Sequence, residues 1–188
     1  GIGWRDIEKK KGTYEWPDIS WTKKQGVKLK LTLGHFPCSP EWAWDIKDIE
    51  DCKKMQLNIP RFGFLPSEEH MKDWRNFMHA LAVRYKDVVD FIEVGAEDDL
   101  TFGKSPYYLK KYMEYTDNGM LTGGPAYERY AEMLKIACEE IRKNCPSVKI
   151  GIVRPSGVDC TSHKPQFSFS SPAIKYCRDL FDFLPMDC

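Results

Sequence analysis

Three short apolar runs constrain the fold of this 188-residue chain more than any other feature. They cover residues 27–33, 88–94 and 148–153, and their β-branched and aliphatic residues are typical of buried strands. Apolar residues with helical spacing lie between these runs, and a further helix is predicted over Ala173–Phe183. Strands that alternate with helices predict an α/β domain with parallel strands and right-handed crossovers.

Two longer helices are predicted from apolar residues that recur three or four positions apart. The first follows the region of Ser67 and reaches about Tyr85, and the second stops at Asn144-Cys145-Pro146, because proline cannot continue a helix. Their apolar stripes are Trp74, Phe77, Met78, Leu81 and Tyr85 in the first, and Tyr127, Tyr130, Leu134, Ala137, Cys138 and Ile141 in the second. Each stripe marks one face of its helix.

The spacing of the predicted strands indicates long connections. The strands start at residues 27, 88 and 148. Intervals of about 60 residues are roughly twice the ~31 residues per unit of an eightfold barrel. The surplus lies in residues 34–66 and 95–125, which both follow the carboxyl end of a strand, where barrels and open α/β sheets build their sites. The Gly-x-Gly-x-x-Gly pattern of dinucleotide-binding folds is absent from the sequence.

Charge and cysteine content exclude several classes of protein. The 28 basic residues balance the 28 acidic ones, so the basic surface of a nucleic-acid-binding protein is missing. The apolar runs are far shorter than the ~18 residues of a membrane span. Seven cysteines at irregular spacings do not form a paired-cysteine metal site, and we expect neither a metal nor a cofactor. Cys38 and Cys52 could be bridged in an oxidising compartment, whereas Cys138 is predicted to be a small core residue.

Five segments resemble, in the right order, the clan A retaining glycoside hydrolases, particularly family 39. Residues 4–16 match the pattern W-x-x-x-E-x-x-x-G-x-[YF]-x-[WF], which would follow the second barrel strand. Residues 26–37 are similar to the third strand, and residues 40–43 to the P-x-W that follows it. Residues 84–100 resemble R-Y-K-x-x-V-x-x-W-E-V-W-N-E-P-[ND]-L, the fourth strand with the catalytic acid/base, and residues 141–151 match the next helix and fifth strand.

This resemblance implies a partial (β/α)8 TIM barrel with long βα loops, in which residues 1–188 form an incomplete catalytic domain covering roughly strands two to six. We expect the chain's start to be cut, because it has neither an initiator methionine nor a signal segment. The implied function is the central part of a retaining glycosidase that hydrolyses O-glycosidic bonds of an oligosaccharide or glycoside. The family's nucleophile lies on the seventh strand, so we expect the isolated chain to be inactive. The resemblance favours a secreted or extracellular protein and leaves the sugar specificity open.

The implied general acid/base is Glu97, which stands where the family has the glutamate of Trp-Asn-Glu-Pro. An ordinary acidic loop is the alternative interpretation of this position. Gly95 and Ala96 replace the family's tryptophan and asparagine, and the lost amide would contact the sugar 2-hydroxyl. This departure favours an alternative function, a degenerate barrel that binds carbohydrate or a protein partner without hydrolysis.

Further candidate substrate-binding residues lie at or after the predicted strand ends. Glu93 either contributes to the site or is an interior carboxylate paired with an arginine, and Arg154 either faces the mouth or pairs with Glu93. Aromatic planes stack on the apolar faces of sugars. His35, Phe36, Trp42 and Trp44 are candidates on that ground or by position, although the tryptophans could simply pack a long loop and His35 could be a core histidine.

Overall fold

The computed structural model describes residues 1–34, 38–96, 105–111, 114–115, 121–123, 125–154 and 176–184. The helices are α1 (Trp4–Ile7), α2 (Ser20–Lys24), α3 (Ile46–Lys54), α4 (Met71–Tyr85), α5 (Pro106–Lys111) and α6 (Pro125–Asn144). The strands are β1 (Lys30–Leu33), β2 (Phe91–Ala96), β3 (Glu114–Tyr115), β4 (Leu121–Gly123) and β5 (Lys149–Arg154). Short 3-10 helices occupy Glu41–Ala43 and Glu68–His70.

A parallel sheet with the order β1-β2-β5 organises the fold. It confirms the predicted α/β class and the predicted parallel strands. The strands begin later than the apolar runs do. Val27 is exposed, and the backbone N–H groups of Val88 and Val89 both donate to the carbonyl of Tyr85, so residues 88–89 close the end of α4. β3 and β4 form a separate antiparallel pair.

Parallel pairing continues on both sides of this sheet. Ile2 forms a parallel bridge with Leu33 next to β1, and Phe183 forms one with Gly151 next to β5. The prediction of a helix over Ala173–Phe183 is therefore wrong at its C-terminal end. Residues 176–177 are helical and residues 178–180 form a turn, whereas Phe183 is paired as a strand residue.

The two faces of the sheet differ in polarity. Because side chains alternate along a strand, one face of the sheet carries six buried apolar residues: Leu31, Leu33, Ile92, Val94, Ile150 and Ile152. Helix α6 packs on β2 and β5, and α4 packs against α6. The described members of both predicted helix stripes are buried in this core. Helix α6 begins at Pro125, whose fixed φ and missing N–H suit the first helical position.

The cysteines described in the core behave as small hydrophobic residues. Cys138 is fully buried on α6, as predicted. Cys38 and Cys52 are both buried but are not bonded to each other. The thiol of Cys52 instead contacts the carbonyl oxygens of Leu57 and Asn58 at 3.4 and 3.2 Å. Within the described part of the chain, no helix is long and apolar enough to cross a membrane.

Candidate functional site

The carboxyl ends of β1, β2 and β5 meet at one edge of the sheet. Ala96, the last residue of β2, pairs with Arg154, the last residue of β5. A Cβ atom placed on Gly34 would lie 3.9 Å from the Cβ of Ala96. The long connections 34–66 and 95–125 therefore leave the sheet as neighbours, and a ligand at this edge would face both of them.

Several candidate residues occupy this edge in the chain but lie outside the described residues. Glu97 directly follows β2, and His35 and Phe36 follow Gly34 after β1. Arg154 ends β5, and the description covers its backbone only. The assignments of these four residues to a site remain predictions.

Glu93 lies on the polar face of the sheet, in register with Thr32 on β1 and Gly151 on β5. Its side chain is fully buried, and Lys30 Nζ lies 2.6 Å from its Oε2. Thr32 Oγ1 is a longer contact at 3.5 Å. Glu93 is thus an interior carboxylate, but its partner in the structure is a lysine rather than an arginine. Because a buried carboxylate needs such a partner, this pairing accounts for a lysine on an interior strand face.

Two buried tyrosines of α5 tie the connection after β2 to the connection after β1. The hydroxyl of Tyr107 donates to Asp48 Oδ1 at 2.7 Å, and Asp48 is itself buried on α3. The hydroxyl of Tyr108 accepts from the backbone N–H of Leu65 at 3.0 Å and donates to the carbonyl of Gly63 at 3.2 Å. These bonds hold the two long connections in a fixed relative position beyond the sheet edge.

Trp42 is half-buried and anchored by contacts with the rest of the protein. Its indole N–H donates to the carbonyl of Glu8 at 3.1 Å. Its ring meets the rings of Trp4 and His70 edge-on, with 5.5 Å between centroids in both cases. These contacts are the loop-packing role that the sequence analysis left open, and a contact with sugar remains a prediction.

Trp44 is anchored in a similar way. Its indole N–H donates to the carbonyl of Ser39 at 3.1 Å, and its ring meets Phe64 edge-on at 5.3 Å. The ring covers Gly63, where an added Cβ would lie 2.7 Å from Trp44 Cζ2. Both tryptophans therefore have their single donor group occupied and can offer a ligand only their ring surfaces.

The W-x-x-x-E-x-x-x-G segment forms a buried clip rather than a set of exposed ligands. The indole N–H of Trp4 donates to Glu8 Oε2 at 2.6 Å, and the backbone N–H of Gly12 donates to Glu8 Oε1 at 2.7 Å. Trp4 packs on Trp74 and Phe77 of α4. Burial raises the pKa of Glu8 against the lowering effect of these two hydrogen bonds. The pattern thus joins α1 to the helical layer.

An acidic and basic cluster lies beside this clip. Asp73 Oδ2 is 2.7 Å from Lys11 Nζ and 2.7 Å from His70 Nδ1. Partial burial opposes ionisation of Asp73, but hydrogen bonds from Lys11 and His70 prevail and lower its pKa. Lys11 Nζ also lies 5.6 Å from the centroid of the Trp42 ring. The sequence does not reveal this cluster, because no spacing pattern links residue 11 to the first turn of α4. Among the described residues, no group of three or more potential metal ligands is present.

No protein-family model matches this sequence, and a search of curated proteins returned no match. Solved structures with the same fold are glycoside hydrolases. A psychrophilic family 10 endo-β-1,4-xylanase has a TM-score of 0.60 at 17% identity, over 97% of this chain and 51% of that one. The hyperthermophilic β-glucosidase of Pyrococcus furiosus has a TM-score of 0.53 at 13% identity, over 88% and 36%. Endo-glycoceramidase II from Rhodococcus sp. has a TM-score of 0.51 at 14% identity, over 98% and 55%.

These similarities show the fold alone. The matched proteins are TIM-barrel glycosidases, and the α/β fold of this chain with its parallel sheet is consistent with part of such a barrel. The comparisons do not single out family 39. The chain spans about half or less of the length of each of these structures.

Proposed function

We propose that this chain is part of a (β/α)8 barrel of the clan A glycosidases, and that the whole protein hydrolyses O-glycosidic bonds with retention of configuration. Glu97 is the general acid/base in this proposal. The observation that carries it is the place of Glu97 in the chain, directly after β2, the middle strand of the parallel sheet. Parallel bridges at Ile2 and Phe183 extend this sheet in chain order, as a barrel requires.

The proposed reaction needs two carboxyl groups about 5–5.5 Å apart. One carboxylic acid protonates the leaving oxygen while the other, ionised, attacks the anomeric carbon. The first group then deprotonates the water that releases the sugar. Glu97 would supply the proton and later remove one, and the nucleophile would belong to the seventh strand. Glu93 takes neither role in this proposal and is the buried partner of Lys30.

A second function is supported by one observation, the nature of the two residues before Glu97. Gly95 has φ 80°, and Ala96 is only 2% exposed. Neither can supply the amide that contacts the sugar 2-hydroxyl in the family. Because that contact strengthens in the transition state, its absence favours a barrel that binds carbohydrate or a protein partner without hydrolysis.

Substrates with different leaving groups test the role of Glu97 in the whole protein. General acid catalysis contributes about 10²–10⁴-fold, and activated aryl glycosides need little of it. Glu97→Gln should therefore reduce hydrolysis of unactivated oligosaccharides by about that factor and affect aryl glycosides much less. Asp99→Asn, a change of the same kind two residues later, is the matched control. Equal losses on both substrates, or no loss on either, would remove Glu97 from this role. A whole protein without a glutamate on the seventh strand would favour the binding function.

A further inference from the structure

A second concave surface lies away from the strand ends. It is a cleft of about 760 Å³ between the loop that leads into α3, the segment that precedes α4 and the first turns of α6. None of the described residues that line this cleft belongs to β1, β2 or β5. Its volume falls within the ~300–1,000 Å³ of small-molecule sites. The described lining of the cleft therefore comes from loops and helices rather than from the strands of the sheet.

One wall of the cleft is a rigid apolar surface. Trp42 and Trp44 line it, and the backbone carbonyls of Glu8 and Ser39 accept their indole N–H groups. Ile46 extends this wall and is 72% exposed. Preorganised rings without a free donor suit the C–H faces of a sugar, because such faces stack on aromatic planes and need no hydrogen bond there.

Polar groups that are not otherwise engaged also line the cleft. Glu41 and Glu68 are exposed, and the described part of the chain offers neither an ion pair nor a hydrogen bond to their side chains. Ser67 also lines the cleft and is only 8% exposed, and its hydroxyl has no hydrogen-bond partner among the described residues. A buried hydroxyl without a partner is costly, so a ligand that bonds to it would remove that cost.

The charge around the cleft restricts the ligand further. Four carboxylates line it: those of Glu41, Asp45, Glu68 and Glu69. Arg129 is the guanidinium among the lining residues, and its Nη1 donates to the carbonyl of Pro66 at 3.4 Å. The net negative charge disfavours acidic sugars, whereas carboxylates accept hydrogen bonds from neutral hydroxyl groups.

We propose that this cleft is a second carbohydrate-binding site, specific for neutral sugar chains, that holds substrate beside the catalytic edge rather than in it. The choice of a carbohydrate rests on the proposed function, but the cleft and its charge do not. Binding at two places on one protein increases the effective concentration of a long chain at the catalytic edge. Short substrates gain nothing from it.

Calorimetric titration of the chain tests the proposal, with xylopentaose and cellopentaose as neutral probes and an oligogalacturonide as the acidic probe. Glu41→Ala combined with Glu68→Ala should weaken binding of a neutral probe about tenfold, the effect of losing two modest hydrogen bonds. Glu50→Ala combined with Glu132→Ala removes two exposed carboxylates outside the cleft and is the matched control, expected to leave affinity unchanged. The acidic probe should bind at least about tenfold more weakly than the neutral ones.

Three results would overturn the proposal: no binding of either neutral probe, equal weakening by the two double variants, or equal affinity for the acidic probe. The Glu97→Gln variant separates this proposal from the proposed function. It should retain binding at the cleft even where hydrolysis is lost. In the whole protein, the cleft variant should keep its kcat on small aryl glycosides and raise KM for polymeric substrate. A protein that binds at the cleft but hydrolyses no glycoside would refute the proposed function alone.

Discussion

Replacement of Glu8 tests whether the W-x-x-x-E-x-x-x-G segment stabilises the fold as a clip. The carboxylate accepts from the indole N–H of Trp4 and the backbone N–H of Gly12. Glutamine has one carbonyl oxygen, so Glu8→Gln satisfies one of these donors and turns an NH2 group toward the other. A hydrogen bond to a charged group contributes about 1.5–3 kcal/mol. Glutamine is neutral, so the cost of burying the carboxylate charge is removed, and this offsets part of the loss. We expect the free energy of unfolding to fall by about 1–2 kcal/mol in total. Glu8→Ala removes both acceptor oxygens and should lower the free energy of unfolding by about 3–5 kcal/mol.

Urea denaturation followed by tryptophan fluorescence measures this loss as a lower midpoint with an unchanged m value. Glu15→Gln is the control, because Glu15 is exposed and only its contact with Lys9 at 2.6 Å is removed. Its midpoint should stay at the wild-type value. A Glu8→Gln variant as stable as the Glu15→Gln control would refute the interpretation of Glu8 as a clip.

The pH dependence provides an independent check on Glu8. Burial raises its pKa in the folded state, so the folded protein binds this proton more tightly than the unfolded chain does. The contribution of Glu8 to stability is therefore present below the ordinary glutamate pKa and is lost as the pH rises through the raised value. Glutamine does not titrate. The deficit of Glu8→Gln relative to wild type should thus shrink as the pH rises above the ordinary glutamate pKa. A deficit that grows over this range would contradict the proposed burial of the charge.

Two further substitutions probe the loops beyond the sheet edge. Gly63→Ala should lower the free energy of unfolding by about 2–4 kcal/mol, because φ is 81° and the new Cβ would lie 2.7 Å from Trp44; urea denaturation measures it. Tyr107→Phe should cost about 1–3 kcal/mol by removing the hydroxyl bonded to buried Asp48, and thermal unfolding should show a lower Tm. Tyr176→Phe, at an exposed position, should leave the Tm unchanged, and an equal shift in both tyrosine variants would contradict the argument.

Local patterns were sufficient to predict the parallel sheet and its two main helices. A buried stripe on α4 or α6 repeats every three or four residues, so it is visible in a short window of sequence. Strand limits were predicted less well, because hydrophobicity does not show which backbone groups pair. Val88 is apolar, yet its N–H completes the end of α4.

The segment that ends at Phe183 shows why other predictions failed. Its apolar residues fit a helical period, but Phe183 pairs with Gly151, 32 residues earlier in the chain by number. A single bridged residue has too few neighbouring positions to show alternation. The packing is close, since a Cβ on Gly151 would lie 2.6 Å from the ring of Phe183. Only the three-dimensional arrangement reveals such a contact.

Recognition of a family pattern also did not show what each residue of the pattern does. The sequence indicated that Trp4 and Glu8 belong together, but not that they bond to each other inside the protein. Likewise, no local pattern shows that Lys30 pairs with Glu93, which lies 63 residues later in the chain. Residues matched to a catalytic family can therefore stabilise the scaffold, and their roles have to be tested one at a time.

The backbone at Gly95, two residues before Glu97, bears directly on the proposed function. Gly95 has φ 80°, where a residue with a side chain costs about 1–2 kcal/mol, although the family has tryptophan there. Gly95→Ala should therefore destabilise the protein by about that amount, measured by urea denaturation. Gly34→Ala is the matched control, because the new Cβ would meet the nearest atoms of Ala96 and Thr32 at an ordinary 3.9 Å. If Gly95→Ala is as stable as Gly34→Ala, a side chain at position 95 is tolerated, and only the missing amide at position 96 argues against catalysis. If it is less stable, a side chain at position 95, such as the family's tryptophan, is strained in this backbone conformation, which is a second argument for binding without hydrolysis.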